Sequence, residues 1–345
     1  MTPVSAIFAR MQASKAAALM KSTVVWDNHG CMPLRPGDES FLPQLERYRQ
    51  AGVNAVTLNV GFDGVPWQTS FEMLGTFRRW ISARAESYLL VESVADFESA
   101  RATGRLGVLF DIEGGVALND QLSNVGAYYQ LGVRWMLIAY NRNNSLGGGC
   151  QDQDCGLTAF GREVLDEMAR VGMVACCSHT GLRTTMEIME HTTNPVIFSH
   201  SNPLGVWRHK RNITDAAIRA CARTGGVVGV NGIGIFLGRN DASTETFVRH
   251  IEYLVDLVGP EHVGLGLDYV FDTQELEDYL RANPGIFPAD EGYAAGLNMI
   301  EPERVPEIVD ELSRCGHSDD AIRMILGGNL MRVAKRVWRP AAATS

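Results

Sequence analysis

The chain has 345 residues, a net charge of −9 and no dense run of Lys or Arg, which makes it a poor match for a nucleic-acid backbone. Hydrophobic residues make up 46% and charged residues 21%, which excludes global disorder. No apolar run approaches the roughly 20 residues that span a bilayer, and residues 1–22 contain no readable secretory signal. Seven cysteines, an odd number, argue against a disulfide scaffold, so we expect a cytoplasmic protein without membrane contact. Cys150 and Cys155 could form a local disulfide, but two free loop thiols fit a reducing compartment better.

Along the chain, short apolar runs rich in β-branched residues alternate with longer helix-like segments. The predicted strands are Thr23–Asp27, Ala55–Val60, Leu106–Ile112, Trp135–Tyr140, Met173–Cys177, Val196–Ser199, Val227–Val230 and Val263–Leu267. Each run is continuously apolar, as expected for parallel strands that are buried on both faces. The predicted helices are Phe71–Leu89, Val94–Arg101, Phe160–Val171, Leu182–His191, Asp215–Thr224, Thr246–Val258 and Pro306–Arg314.

Eight strands that alternate with helices favour an α/β fold of the (β/α)8 TIM-barrel type over an open doubly wound sheet. The open sheet usually carries a glycine-rich phosphate-binding turn after its first strand, whereas residues 27–31 read DNHGC. We therefore predict one barrel domain over residues 1–345. It should carry an insertion at about 270–303, after the last strand, and C-terminal helices over 304–338.

Residues with metal-binding side chains follow several of the predicted strands. In a parallel barrel the chemistry lies at the C-terminal strand ends, and three of the eight histidines, His29, His179 and His200, fall there. Cys31 lies two residues after His29, and such residues point to one face of an extended segment. Glu113 adds a carboxylate after the third predicted strand. A single histidine at a strand end is more often structural, but three with a carboxylate and a thiol indicate a Zn²⁺ site.

These motifs and their order resemble the renal (membrane) dipeptidase family, peptidase family M19. The resemblance extends from about residue 25 to residue 338 and rests on DNHGCMP (27–33), IEGG (112–115), CSH (177–179), PVIFSHS (195–201), RNITD (211–215), GLGLD (264–268) and GNLMRV (328–333). It implies an amidohydrolase-like (β/α)8 barrel that usually holds two zinc ions bridged by a glutamate and a hydroxide.

The resemblance also implies roles for individual residues. His29, with Cys31, would bind the first metal, Glu113 would bridge both metals, and His179 and His200 would bind the second.

Two further residues would act on the substrate. Arg211 matches the residue that binds the substrate α-carboxylate, although by itself it reads as a surface arginine in a basic cluster. Asp268 matches the acid/base carboxylate that helps activate the hydroxide and protonates the leaving amine. On its own it could be a helix N-cap.

Two positions differ from the family pattern. The family usually has Asp where this chain has Cys31, whose thiolate can also bind zinc. It usually has His where this chain has Tyr140, whose phenol can donate one hydrogen bond to substrate or to a developing oxyanion.

We therefore expect a zinc-dependent hydrolase of the EC 3.4.13 class, with one or two Zn²⁺ per chain, that acts as a homodimer. Its substrate would be a dipeptide or a similar small N-acyl amino acid with a free carboxylate. The alternative is a repurposed family member with one metal or none, which catalyses a non-hydrolytic step or binds a small pathway intermediate. Cys31 and Tyr140 are the residues that raise this alternative.

Overall fold

The computed structural model describes residues 15–293 and 296–339. The strands of this part of the chain are β1 (Trp26–Cys31), β2 (Ala55–Phe62), β3 (Tyr88–Leu90), β4 (Leu106–Glu113), β5 (Val133–Leu137), β6 (Val174–Cys176), β7 (Val228–Val230), β8 (Val263–Leu265) and β9 (Tyr269–Val270). The α-helices are Lys15–Ser22, Glu46–Gln50, Trp67–Ser82, Val94–Thr103, Ser123–Gln130, Ala159–Val171, Leu182–His191, Asp215–Arg223, Gly234–Leu237, Thr244–Val258, Thr273–Ala282, Val305–Arg314, Asp319–Arg323 and Asn329–Val337.

The strands form a curled parallel sheet in the order β6-β5-β4-β2-β1-β8-β7. Each neighbouring pair is parallel, and β3 and β9 pair with β4 and β1 beside this path. Every residue of β4 and β5 is buried, which explains why the strands read as continuous apolar runs. The predicted α/β fold is confirmed as this curled parallel sheet.

The predicted strand Val196–Ser199 is wrong as a regular strand, because the segment forms only isolated bridges. Ile197 bridges Cys176 at the end of β6, and Phe198 bridges Val228 at the start of β7, both in parallel orientation. The backbone N–H of Ile197 donates to the carbonyl of Ala175 at 3.0 Å. The segment therefore runs between the two terminal strands of the sheet.

Two glycines allow this segment to approach its neighbours. Gly229 lies in β7, and Gly266 follows β8. A Cβ atom at either position would collide with the main-chain carbonyl of Ser199. Both positions therefore require the one residue that lacks a Cβ atom.

The boundaries of three predicted elements need correction. The strand predicted over Trp135–Tyr140 lies at Val133–Leu137, so Tyr140 follows it. The helix predicted over Phe71–Leu89 ends at Ser82, because Tyr88–Leu90 forms β3 and pairs with β4. Pairing with a neighbouring strand outweighs the local helical pattern there. The first predicted strand, Thr23–Asp27, lies instead at Trp26–Cys31, so that His29 and Cys31 lie within the strand itself.

The segment after β9 contains the helix Thr273–Ala282, and its far end bridges the loop after β7 through Ile233 and Met299. No helix in residues 15–293 and 296–339 is long and apolar enough to cross a membrane. All seven cysteines are free thiols, and the local disulfide considered for Cys150 and Cys155 is not formed.

Candidate metal centre and substrate cavities

A triangle of nitrogen, sulfur and oxygen atoms forms where β1 meets the end of β8. His29 and Cys31 project from the same face of β1, and the Cys31 Sγ atom lies 3.4 Å from His29 Nε2. Asp268 Oδ1 lies 3.6 Å from that sulfur and 3.5 Å from the same ring nitrogen. The Asp268 backbone N–H donates to the His29 carbonyl at 2.9 Å, which fixes the two segments together. These three side chains are close enough to share one metal ion.

A second group of donors surrounds Glu113, the last residue of β4. Its Oε1 atom lies 3.2 Å from His200 Nε2, 3.5 Å from His179 Nε2 and 3.6 Å from His29 Nε2. This oxygen is buried and has no hydrogen-bond partner among the residues that the structure describes. An unpartnered carboxylate oxygen that faces three imidazole nitrogens fits a ligand that bridges two metal ions.

Each of these imidazoles forms a hydrogen bond through its Nδ1 atom. The pairs are His29 with Asp111 Oδ2 (3.1 Å), His179 with Asn141 Oδ1 (2.7 Å) and His200 with Ser199 Oγ (2.8 Å). Such partners orient the ring and leave Nε2 directed at the centre. Neither Asp111 nor Asn141 was among the predicted site residues. Asp111 had a usable signal, because it lies two residues before Glu113 and therefore on the same face of β4.

Two more buried side chains support the carboxylates. Asn231, after β7, donates to Asp268 Oδ2 at 2.7 Å, and Asn59, in β2, donates to Asp111 Oδ1 at 3.0 Å. Neither β2 nor β7 was predicted to contribute a site residue. An asparagine at a strand end is not a typical metal ligand. Only its position in the sequence could have indicated that it belongs to the site.

Burial controls the protonation of the centre. It lowers the pKa of His179 and of His200 well below the ordinary value, so both rings are neutral, the form that binds metal. Burial also raises the pKa of Glu113 to about 8 and that of the Cys31 thiol to about 12. A divalent cation would oppose both increases, because it stabilises the carboxylate and the thiolate.

The backbone is strained at three positions of the site. His179 has φ 61°, Asp268 has φ 58° and Asn141 has φ 58°. Residues with a Cβ atom rarely adopt this left-handed region, which costs roughly 1–2 kcal/mol each. The surrounding hydrogen bonds therefore hold these side chains in place against a local preference.

Tyr140 lies between the candidate metal ligand His179 and a cavity. Its ring stacks on that of His179, with the centroids 4.0 Å apart and the planes at 24°. It lines a cavity of about 220 Å³, which Cys31, Glu113 and Asp268 also line. Burial raises the pKa of Tyr140 well above its usual value, so the phenol keeps its proton and remains a hydrogen-bond donor.

Arg211 lies in a second cavity, of about 260 Å³, which also borders His179. Its side chain is buried, so the interpretation of a surface arginine is wrong. One terminal nitrogen (Nη2) donates to the His200 carbonyl at 3.0 Å and the other (Nη1) to the Ser201 hydroxyl at 3.3 Å. The buried Nε atom has no partner in the described part of the chain. The structure thus places a fixed cation beside the centre.

The predicted site residues all lie around one point of the sheet. They are His29, Cys31, Glu113, Tyr140, His179, His200, Arg211 and Asp268. Two cavities border this group, and His179 lines both.

Several known proteins are similar to this chain. The sequence profile of the membrane dipeptidases (peptidase family M19) matches residues 13–284. A protein of Klebsiella pneumoniae, the uncharacterized protein in the pqqA 5′ region, is 31% identical over 288 residues, which are 80% of this chain and 98% of the relative. An amidohydrolase from Pseudomonas aeruginosa has a TM-score of 0.83 at 27% identity and covers 94% of this chain and 99% of its own. A metallopeptidase from Rhodobacter sphaeroides, liganded with a phosphinate mimic of L-Ala-D-Ala, shares the fold, with a TM-score of 0.74 at 19% identity over 92% of this chain and 100% of its own.

Proposed function

The chain belongs to the membrane dipeptidase family, peptidase family M19, and from this premise we propose that it is a zinc-dependent hydrolase. It cleaves the amide bond of a dipeptide or of a similar small N-acyl amino acid. The observation that carries the proposal is the buried, unpartnered Oε1 atom of Glu113, which faces three imidazole nitrogens. The Rhodobacter metallopeptidase, which shares this fold, binds a mimic of a dipeptide.

The donor atoms fit a pair of zinc ions, because imidazole, thiolate and carboxylate are the ligands that zinc prefers. One ion would be held by His29 and Cys31 with Asp268 beside them, the other by His179 and His200, with Glu113 between the two. When bound, such ions supply Lewis acidity and lower the pKa of a bound water to about 7.

The protein side chains then bind the substrate and move the proton. Arg211 binds the free carboxylate of the substrate through charge-assisted hydrogen bonds. The Tyr140 hydroxyl donates a hydrogen bond to the oxygen of the scissile carbonyl, where negative charge develops. Asp268 Oδ1 accepts the proton of the attacking water and passes it to the departing amine, while Asn231 holds Oδ2.

We also propose that the curled sheet closes into a complete (β/α)8 barrel and forms one domain. The support is the segment 196–199, whose bridges to Cys176 and Val228 connect the two terminal strands. With this segment counted as a strand, the closed sheet would have the eight strands of that fold.

The repurposed alternative has less support. It depends on Cys31 and Tyr140, the two departures from the family pattern. The Cys31 sulfur lies within the donor triangle, and Tyr140 lines the cavity beside it, which supports a role for both in hydrolysis.

Metal analysis combined with a substrate screen tests the proposal. We expect the purified chain to hold about two zinc ions and to hydrolyse members of a dipeptide and N-acyl amino acid library. A chelator should abolish the hydrolysis and zinc should restore it, whereas Glu113→Gln should bind less zinc and stay inactive. A chain that binds no zinc and cleaves no amide after zinc loading would refute the proposal.

A further inference from the structure

We propose that the cavity beside Tyr140 binds a large apolar side chain on the acyl side of the scissile amide. We further propose that residues of the segment after β9 set this preference. The inference rests on the proposed hydrolase function and adds the substrate class. It also identifies specificity residues outside the segments that carry the family resemblance.

The cavity lies between the metal-binding residues and the segment after β9. Leu276 and Tyr279 of the helix Thr273–Ala282 line it, together with Phe287, which follows that helix. Its volume is about 220 Å³. Apolar cavities of roughly 150 Å³ accept a benzene ring, so this one has room for a benzyl group.

The walls are apolar and well packed. Leu280, Phe287 and Tyr293 form a cluster with Ile233, and each of these side chains is less than a tenth exposed. The Tyr279 ring meets Phe287 nearly edge to face, with the centroids 5.8 Å apart and the planes at 66°. Aromatic edges and aliphatic walls of this kind stabilise an apolar ligand and disfavour a charged one.

Few charged side chains line this cavity. Apart from the carboxylates of the metal centre, the acidic residues that line it are Asp272 and Glu275. Both form ion pairs with Arg35, which reaches them from the loop after β1, and the Asp272 contact measures 3.0 Å. Because these carboxylates already have a cationic partner, the interior of the cavity suits an uncharged group.

The second cavity, which contains Arg211, determines which end of the substrate enters the cavity beside Tyr140. Arg211 lines the second cavity, and its Nε atom, which has no partner among the described residues, suits a carboxylate, whereas Lys210 already pairs with Glu291. His179 borders both cavities, so a substrate that spans the centre has its carboxylate beside Arg211 and its acyl side chain beside Leu276.

A matched substrate series tests the inference. Gly-X, Ala-X, Leu-X and Phe-X dipeptides share one C-terminal residue X and differ only in the acyl-side group. We expect kcat/KM to rise along the series, with Phe-X at least about 100-fold above Ala-X, because each buried methylene contributes 10-fold or more in a fitted pocket. An equal or higher kcat/KM for Gly-X or Ala-X would overturn the inference.

Calorimetry on the metal-free protein separates this inference from the proposed function. Tighter binding of Phe-X than of Ala-X supports the apolar cavity even if no amide is cleaved. Cleavage of Ala-X and Phe-X with equal efficiency would leave the hydrolase function standing and refute the inference.

Two variants of one helix identify the specificity residue. Leu276→Glu places a carboxylate in the cavity wall, and because Leu276 is only partly buried the fold should tolerate it. We expect kcat/KM for Phe-X to fall at least about 10-fold and that for Ala-X to change far less. Gln274→Glu adds the same charge at an exposed position of the same helix and should leave the Phe-X to Ala-X ratio unchanged. Equal losses on both substrates in Leu276→Glu would refute its role.

Discussion

The imidazole rings of His29 and His200 lie stacked, with their centroids 4.0 Å apart and their planes 12° from parallel. The first ring comes from β1, and the second follows the bridging segment between β6 and β7. Both Nε2 atoms approach the same oxygen of Glu113. Burial lowers the pKa of His200 well below its usual value and keeps the ring neutral. The stack therefore brings two ligand groups from distant parts of the chain to one carboxylate.

The Cys31 thiol is expected to bind metal as a thiolate. With Co²⁺ in place of zinc, the wild-type protein should show a thiolate-to-metal charge-transfer band in the ultraviolet, and Cys31→Ser should lose it. Zinc content should fall from about two ions per chain to about one in that variant. Cys155→Ser, at an exposed loop thiol, is the matched control. An unchanged band in Cys31→Ser would show that the sulfur is not a ligand.

Replacing Cys31 with Asp tests whether the thiol suits the natural activity. Cys31→Asp restores the residue type usual in the family, and we expect it to bind two metal ions and to accept harder metals such as Mn²⁺ more readily than the wild type. Metal content and kcat/KM are measured with each metal. If dipeptide cleavage appears only in Cys31→Asp, the natural protein is not a dipeptidase.

Removal of one phenol oxygen should reduce turnover. Tyr140→Phe is expected to lower kcat by roughly 100-fold while zinc content stays the same, because one hydrogen-bond donor to the developing oxyanion is lost. Tyr253→Phe removes a hydroxyl that bonds Asp215 away from the site and controls for general effects. A loss confined to KM would instead indicate that Tyr140 only binds the substrate.

Arg211 should discriminate between substrates with and without a free carboxylate. Arg211→Lys keeps the charge but loses the forked donors, so kcat/KM should fall about 30-fold, which corresponds to about 2 kcal/mol for one charge-assisted hydrogen bond. The loss should vanish for the same substrate with an amidated C-terminus. Equal losses for both substrates would argue against carboxylate binding.

Asp63 should make stability depend on pH. Its carboxylate accepts hydrogen bonds from Val116 N–H (2.9 Å), Tyr140 N–H (3.2 Å) and the Asn144 side chain (2.8 Å), yet burial raises its pKa from 3.8 to about 6. Between these two values the folded chain keeps a proton that the unfolded chain has released. This group therefore lowers the free energy of unfolding as pH rises, by about 3 kcal/mol in total.

Urea unfolding at several pH values measures this contribution. The stability of Asp63→Asn relative to the wild type should rise as pH increases from about 4 to 7, because the variant lacks the titrating carboxyl. Asp278→Asn, at an exposed position, controls for loss of a surface charge. A difference between Asp63→Asn and wild type that does not change with pH would contradict the assignment.

The arrangement of strands could be predicted because it follows from periodic patterns. Buried runs separated by helical segments predicted the parallel sheet, and the two-residue spacing of His29 and Cys31 predicted that they share a face. The segment 196–199 was harder, since its irregular pairing depends on a close approach permitted by Gly229 and Gly266, which lie far away in sequence. The catalytic and metal-binding roles of the site residues remain predictions.

Other parts of the site depend on contacts that no local pattern encodes. Asn141 supports His179 only because a left-handed backbone turns its side chain toward the ring. Asn231, which follows β7, reaches Asp268, which follows the neighbouring strand β8. Their roles arise from tertiary placement, so the sequence could indicate the ligands but not the residues that orient them.

The left-handed backbone at His179 and Asp268 implies a trade-off between thermal stability and catalytic activity. Glycine at either position would relax the turn, and engineering for heat resistance commonly adopts such changes. Here the gain would remove an imidazole or a carboxylate from the centre. Selection for thermal tolerance alone should therefore replace His179 and Asp268 first. A chain that keeps both side chains would still be under selection for activity.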